Sequence, residues 1–277
     1  MEILEIKDLE KLAKKRVPKM FFDYVNSGSW TETTYNENVS DFQKIKLRQR
    51  VAIDMSNRTL ETKMINQPVS IPVAIAPTGL TGMQRADGEI LAAQAAEEFG
   101  IPYTLSTMSV CSIEAVAEKT KKPFWFQLYV MKDKKFMERL IDRAKEAKCS
   151  ALVLTLDLQL LGQRHKDLRN GLSTPPKLIP KHIYQVLTKP MWCLRMLTTK
   201  NHFFGNIVGH VEGIKDVRSL ASWVGTQFDP QLNWQDIEWI KKRWDGKLII
   251  KGVLDSEDAI IAVNTGADAK IVSNHGG

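Results

Sequence analysis

Cysteine is scarce: the 277-residue chain has three, Cys111, Cys149 and Cys193, with no CxxC pair. So sparse and odd a set builds no disulfide framework and suits reduced thiols in a cytosolic setting. No HExxH helix or Cys/His cluster is present, so no metal site is expected. GxGxxG after an apolar run and the GxSxG elbow are both missing, which argues against a Rossmann dinucleotide site and a serine hydrolase. No apolar run approaches the roughly 18–20 residues of a membrane span. The opening MEILEIKDLEKLAKK is charged and helical in spacing, unlike a secretory leader. A net charge of +7 points to acidic partners, but no RNP, zinc-finger or helix-turn-helix pattern accompanies it, so nucleic acid is not the expected partner.

What is present is a series of short apolar runs that end in polar or small residues. They are VAIAPTG (73–79), YTLS (103–106), FWFQLY (124–129), ALVLTLD (151–157), LIIKG (248–252) and KIVSN (270–274). Continuous rather than alternating apolarity is the mark of buried parallel strands. Helical patterns lie between most of them. GEILAAQAAEEFG (88–100) ends at Gly100, and DKKFMERLIDRAKEAKC (133–149) starts at a capping Asp133. DSEDAIIAVNTG (255–266) has acids in its first turn and Gly266 at its end. Such alternation predicts βα units around a parallel sheet, with about six strands.

One stretch breaks the rhythm. Between Asp157 and Leu248 no comparable strand occurs, and residues 173–207 carry Lys177, Lys181, Lys189, Arg195 and Lys200 with no acid. Tyr184, Trp192, Phe203 and Phe204 are interleaved. Two readings fit: a long loop with a short helix packed on the body, or an interfacial segment on an anionic membrane surface.

In a βα barrel, chemistry gathers at the C-terminal strand ends. Those ends carry Thr78 and Gly79, Ser106, Gln127 with Tyr129, Thr155 with Asp157, Lys251 and His275. Each alone has a structural reading, Thr155 as a core hydroxyl and Gln127 as a loop tie; six together favour a polar site. His275 follows an apolar run and precedes two glycines, which suits a general base in an open loop, although a surface or core role is as consistent with its position. Asp157 is placed to orient such an imidazole. Arg164, just past a strand end, is suited to a bidentate grip on a carboxylate, and Tyr24 beside Asn26-Ser27-Gly28 is either a core aromatic or a phenol donor.

The segments PKMFFDYVNSG, IAPTGLTGM, TLSTMSVCSIE, WFQLYV, LTLDLQLLGQRHKDLRNG, IIKGVLDSEDA and IVSNHGG, in this order, resemble the FMN-dependent L-2-hydroxy acid dehydrogenase and oxidase family. LRQR, LSTMSVC, FDPQLNWQDIEWI and WDGKLIIKGVLD are most similar to its bacterial quinone-linked L-lactate dehydrogenase branch. The resemblance implies a (β/α)8 TIM barrel and FMN as cofactor. It implies oxidation of L-lactate or a similar 2-hydroxy acid, with electrons passed to a quinone at the cytoplasmic face of the inner membrane. It further implies that Tyr24 and Arg164 bind the substrate carboxylate and Tyr129 its hydroxyl. The flavin is then held by Thr78, Gly79, Ser106, Gln127 and Thr155, with Lys251 against its N1–O2 edge. His275 is the base and Asp157 its partner.

In the family the motif continues past SNHGG with a second carboxylate-binding arginine and two further βα units. The expectation is therefore a single 1–277 domain with six of eight units, a C-terminally truncated barrel carrying a basic and aromatic insertion at 173–222 after the fourth strand. A homo-oligomer is expected of the intact protein. Two alternatives stay open: a soluble oxidase using oxygen, and an inactive fragment that does not retain FMN.

Overall fold

The computed structural model describes residues 2–172, 180–211, 223 and 226–277. Three N-terminal helices come first: α1 (Ile6–Arg16), α2 (Lys19–Val25) and α3 (Thr33–Lys44). A two-stranded antiparallel hairpin follows, β1 (Thr62–Met64) with β2 (Gln67–Val69). Then come α4 (Thr81–Gln84), α5 (Gly88–Phe99), β3 (Thr104–Ser106), α6 (Ile113–Lys119), β4 (Trp125–Tyr129), α7 (Lys134–Glu146) and β5 (Ala151–Thr155). Short helices α8 (His165–Arg169), α9 (Pro180–Leu187) and α10 (Pro190–Thr198) fill the long interval, and α11 (Trp234–Arg243), β6 (Lys247–Val253), α12 (Ser256–Asn264) and β7 (Ala269–Val272) complete the order.

The five strands β3 to β7 form one all-parallel sheet in chain order, without a reversal. A sheet wound in one direction has no topological switch point, which separates it from a doubly wound fold. Of the six expected strands, the first run does not form one. Pro72 and Pro77 bracket it and can donate no ladder bonds, so it makes a single parallel bridge, Ile75 to Tyr103. The expected helices do form. α5 ends at Gly100 in the left-handed region (φ 81°), and the Asp133 carboxylate accepts the Phe136 N–H at 2.9 Å to start α7.

Strand parity divides the interior into two cores. Phe126, Leu128, Leu152, Leu154, Leu248 and Ile250 point outward beneath the helices, where they meet Phe136, Leu140 and Ile240. Trp125, Ala151, Val153 and Ile249 point to the other face, with Met64 and Ile65 of the hairpin packed against them. The second face is where the polar strand-end residues emerge.

The loop after β3 is fixed by Asn206, which is fully buried. Its Oδ1 accepts from Ile113 N at 2.9 Å and its Nδ2 donates to Ser109 Oγ at 2.9 Å. Part of the 173–222 insertion, residues 173–179 and 212–222, lies outside the described residues. Asn206→Ala strands the buried Ile113 N–H, while the Ser109 hydroxyl keeps its bond to Cys111 O, so it is expected to destabilise the fold by about 1–3 kcal/mol in urea unfolding; a change under about 0.5 kcal/mol would show that the loop is held by other contacts.

Candidate active site at the strand ends

The strand register brings the polar ends side by side. Ser106 pairs with Gln127, Tyr129 with Thr155, and Thr155 with Lys251. Ser106, Gln127, Thr155 and Lys251 are all buried. Ser106 Oγ donates to Gln127 Oε1 at 3.1 Å, and Gln127 Nε2 donates to Thr155 Oγ1 at 3.0 Å. Thr155 uses its oxygen as an acceptor here, so its hydroxyl hydrogen remains available to a bound group.

Beyond this row lies a charged cluster. His275 Nδ1 is 2.8 Å from Asp157 Oδ1. Lys251 Nζ lies 3.3 Å from the same nitrogen and 3.5 Å from Asp157 Oδ2. Asp157 Oδ2 is buried and makes no hydrogen bond. Burial opposes ionisation of Asp157, yet His275 and Lys251 together hold its carboxyl below the usual range. Burial also lowers the Lys251 ammonium, and Asp157 offsets part of that. With Nδ1–H given to Asp157, Nε2 is left as an acceptor, and the Tyr129 hydroxyl is 3.5 Å from it. Gly252 makes the approach possible: it has φ 101°, and a Cβ there would lie 2.7 Å from Asp157 Cβ.

His275 is presented by a strained loop. His275, Gly276 and Gly277 have φ of 62°, 97° and 103°. Asn274 and Asn38 exchange side-chain hydrogen bonds of 2.7 and 3.2 Å, and Ser29 N donates to Gly277 O at 2.8 Å. Thus α3 and the turn before it hold the histidine loop from more than 200 positions away in the sequence.

Tyr24 and Arg164 form a second group. The Arg164 guanidinium lies over the Tyr24 ring, 4.8 Å from its centroid. It donates to Tyr24 O and to Ser27 Oγ. The Tyr24 hydroxyl reaches Gly79, where a Cβ would come within 2.8 Å of it. Burial raises the pKa of both Tyr24 and Tyr129, and Tyr24 is near enough to raise Tyr129 further. Both phenols are therefore protonated donors at ordinary pH. No hydrogen bond among the described residues joins Thr78 to the strand-end row; its carbonyl accepts from Thr81 Oγ1 at 3.0 Å. No hydrogen bond or ion pair joins Arg164 to His275 among the described residues; Tyr24 is close enough to Tyr129 to act on it electrostatically, and Tyr129 in turn is 3.5 Å from His275.

Three participants were not expected. Phe228 meets the Tyr129 ring edge-on at 5.8 Å, and its segment is tied to the end of β4 by Lys132 N to Gln227 O at 2.9 Å. No local pattern marks it, because it is 99 positions from Tyr129. Asn38 likewise has no signal in sequence. Asp167 does have one: it is three residues after Arg164, and its Oδ2 is 3.1 Å from Arg164 Nε.

The family profile of FMN-dependent dehydrogenases matches residues 13–277. An L-lactate dehydrogenase of Acinetobacter baylyi is 45% identical over all of this chain and 72% of its own length. One from Acinetobacter baumannii is 45% identical over 98% of this chain and 70% of its own length. Among solved structures, a monotopic membrane protein, (S)-mandelate dehydrogenase, superimposes with TM-score 0.92 at 32% identity, covering 99% of this chain and 73% of that one. Mandelate oxidase superimposes with TM-score 0.79 at 29% identity, over 98% and 69%.

Burial, with Asp23 adding to it and Arg164 opposing, pushes the Asp167 carboxyl up to about 6. An unfolded aspartate titrates near 3.9, so between roughly pH 4 and 6 the folded protein holds the extra proton and stability falls as pH rises. Asp167→Asn is expected to remove that fall; urea midpoints at pH 4.5 and pH 7 should drop more in the wild type than in the variant, and equal drops would refute the assignment.

Proposed function

The chain belongs to the FMN-dependent dehydrogenase family, and from that premise we propose that it oxidises an L-2-hydroxy acid, L-lactate first among them, and passes the electrons to a membrane quinone. The observation that carries the reading is the His275 imidazole set between Asp157 and the Tyr129 hydroxyl at the mouth of the parallel sheet. The sheet is read as an arc of a (β/α)8 barrel, in one domain whose insertion spans 173–222.

The residues present fit the cofactor. A flavin ring needs donors and acceptors along one edge and a cation near its N1–O2 side. Ser106, Gln127 and Thr155 offer the first from a buried row with a free hydroxyl hydrogen, and the Lys251 ammonium offers the second. Thr78 and Gly79 would add backbone contacts. When bound, FMN supplies the two-electron acceptor that no side chain can provide.

The protein's part is positioning and proton transfer. The Tyr24 hydroxyl and Arg164 are assigned to the substrate carboxylate, a fork and a phenol being suited to two oxygens. Tyr129, kept protonated by burial, can donate to the substrate oxygen beside His275. His275 Nε2 takes the proton that oxidation releases. Asp157 stabilises the imidazolium that results, and the paired Lys251 keeps Asp157 ionised for that role.

The surface of α9 and α10 supports a location at a membrane, where a quinone acceptor would be found. Ile183, Tyr184, Leu187, Met191, Leu194 and Leu197 are exposed there, with basic Lys189 and Arg195 and no acid. Among the described residues no helix is long and apolar enough to cross a membrane. Peripheral attachment at the cytoplasmic face of the inner membrane fits such a surface.

The test is spectroscopic. The purified chain, incubated with FMN and freed of excess, should carry flavin absorption that anaerobic L-lactate bleaches and a water-soluble quinone restores. His275→Asn should keep the flavin and slow bleaching by about 10²–10⁴-fold. Flavin that L-lactate leaves oxidised in the wild type, or a variant as fast as wild type, would defeat the reading.

A further inference from the structure

Helix α1 has no buried residue. Leu4 and Ile6 are 80% and 79% exposed, and Ile3 and Leu9 are exposed beside them. Burial in the core therefore contributes little to holding this 11-residue helix in place. Its two acids are engaged locally. Asp8 accepts the N–H of Leu4 and of Glu5 and the ammonium of Lys11, and Glu10 accepts from Asn26 Nδ2. Lys7, Lys14, Lys15 and Arg16 make no ion pair among the described residues. The helix thus offers apolar side chains at its start and free cations along its length.

It also adjoins the α9–α10 hairpin. Lys189, in the turn between those helices, donates from Nζ to Lys15 O at 2.7 Å. The hairpin is anchored to the body from beneath: Trp192 Nε1 donates to Met83 O at 2.8 Å, and its ring stacks on Phe21 at 5.6 Å. Anchoring through Trp192 leaves the hairpin's apolar side chains outward, next to the end of α1.

We propose that α1 is a second membrane-contact element, an amphipathic helix that lies on an anionic lipid surface beside the α9–α10 hairpin. The proposal rests on the reading of that hairpin as membrane-facing. Charge selects the occupant. Residues 6–16 carry five basic residues against two acids, and residues 180–200 carry four basic residues and no acid. A second copy would bring the same sign of charge against this surface and be repelled. An anionic bilayer supplies the opposite sign and, a few ångströms deeper, an apolar layer for Leu4, Ile6 and Leu9.

The test is co-sedimentation of the full chain with vesicles of phosphatidylglycerol and phosphatidylethanolamine, against vesicles of phosphatidylcholine alone. Two triple variants are compared with the wild type. One is Leu4→Ser, Ile6→Ser, Leu9→Ser; the other is Leu187→Ser, Leu194→Ser, Leu197→Ser. All six side chains are exposed, and circular dichroism checks that each variant folds. The expected result is binding to the anionic vesicles only, weakened at least tenfold in the α1 variant. If the α1 variant binds like wild type while the hairpin variant is released, the α1 proposal is overturned and the hairpin reading stands. If the α1 variant is released and the hairpin variant is not, α1 is upheld and the hairpin reading fails. A wild type that binds no vesicle overturns both. A wild-type dimer that the α1 variant turns into a monomer assigns the face to a second copy and overturns the proposal.

Discussion

The strand-end site depends on one buried carboxylate. Asp157 is withdrawn from water, and a lone ion so placed would cost several kcal/mol. It is tolerated because Oδ1 meets His275 and Oδ2 faces Lys251. The three residues lie at or just beyond the ends of β5, β6 and β7, so their mutual attraction also ties together three neighbouring strands. The same arrangement suits the proposed chemistry. A carboxylate on Nδ1 fixes the tautomer that leaves Nε2 free, and it stabilises the imidazolium once a proton arrives. A side chain at Gly252 would occupy the space that Asp157 fills. A glycine within a strand, ordinarily a weakness, is here required by the close approach.

Strand parity explains why the remaining polar groups converge. Gln127 and Tyr129 are two apart on β4, and Phe126 and Leu128 alternate with them under the helices. On β5 the inward positions run Ala151, Val153, Thr155, and on β6 they run Ile249, Lys251. The inner face therefore changes from apolar to polar along each strand, over about one residue pair. The apolar end is packed against the β1–β2 hairpin. The polar end can remain buried because Ser106, Gln127 and Thr155 satisfy one another. Had those hydrogen bonds been absent, each desolvated group would have cost roughly 1–3 kcal/mol.

What was legible in the sequence was what is encoded locally. β3 to β7 follow from continuous apolar runs, α5 and α7 from their caps, and Asp157, Lys251 and His275 from their position at run ends. The failures have physical causes. The run at 73–79 is as apolar as the others, but its prolines deny it a ladder. α3 has an exposed surface with no buried residue, so no apolar periodicity announced it. Phe228 reaches Tyr129 across the long interval, and Asn38 reaches Asn274 across 236 positions. Contacts of that kind are chosen by the finished fold, and no window of neighbouring residues contains them. Arg164 was legible as a cation past a strand end, but its stacking on Tyr24 and its pairing with Asp167 depend on where α2 comes to rest.

The loop that carries His275 shows how segments far apart in the sequence share one site. Three successive residues with positive φ include a histidine, which has a Cβ and bears a steric penalty there that glycine does not. Such a backbone persists only where its surroundings determine it. Here they are the Asn38–Asn274 pair, the Ser29 N–H on Gly277 O and the His275 N–H on the Ser273 hydroxyl oxygen. Two of these come from the first forty residues. The N-terminal helices are therefore part of the candidate site in two places: α2 delivers Tyr24, and α3 with its preceding turn holds the histidine loop in its strained form. Contacts so distant in sequence carry a larger loop-closure cost than those between neighbouring βα units. The sheet and its buried hydroxyl row are built from local βα units, whereas the orientation of His275 depends on the docked N-terminal helices.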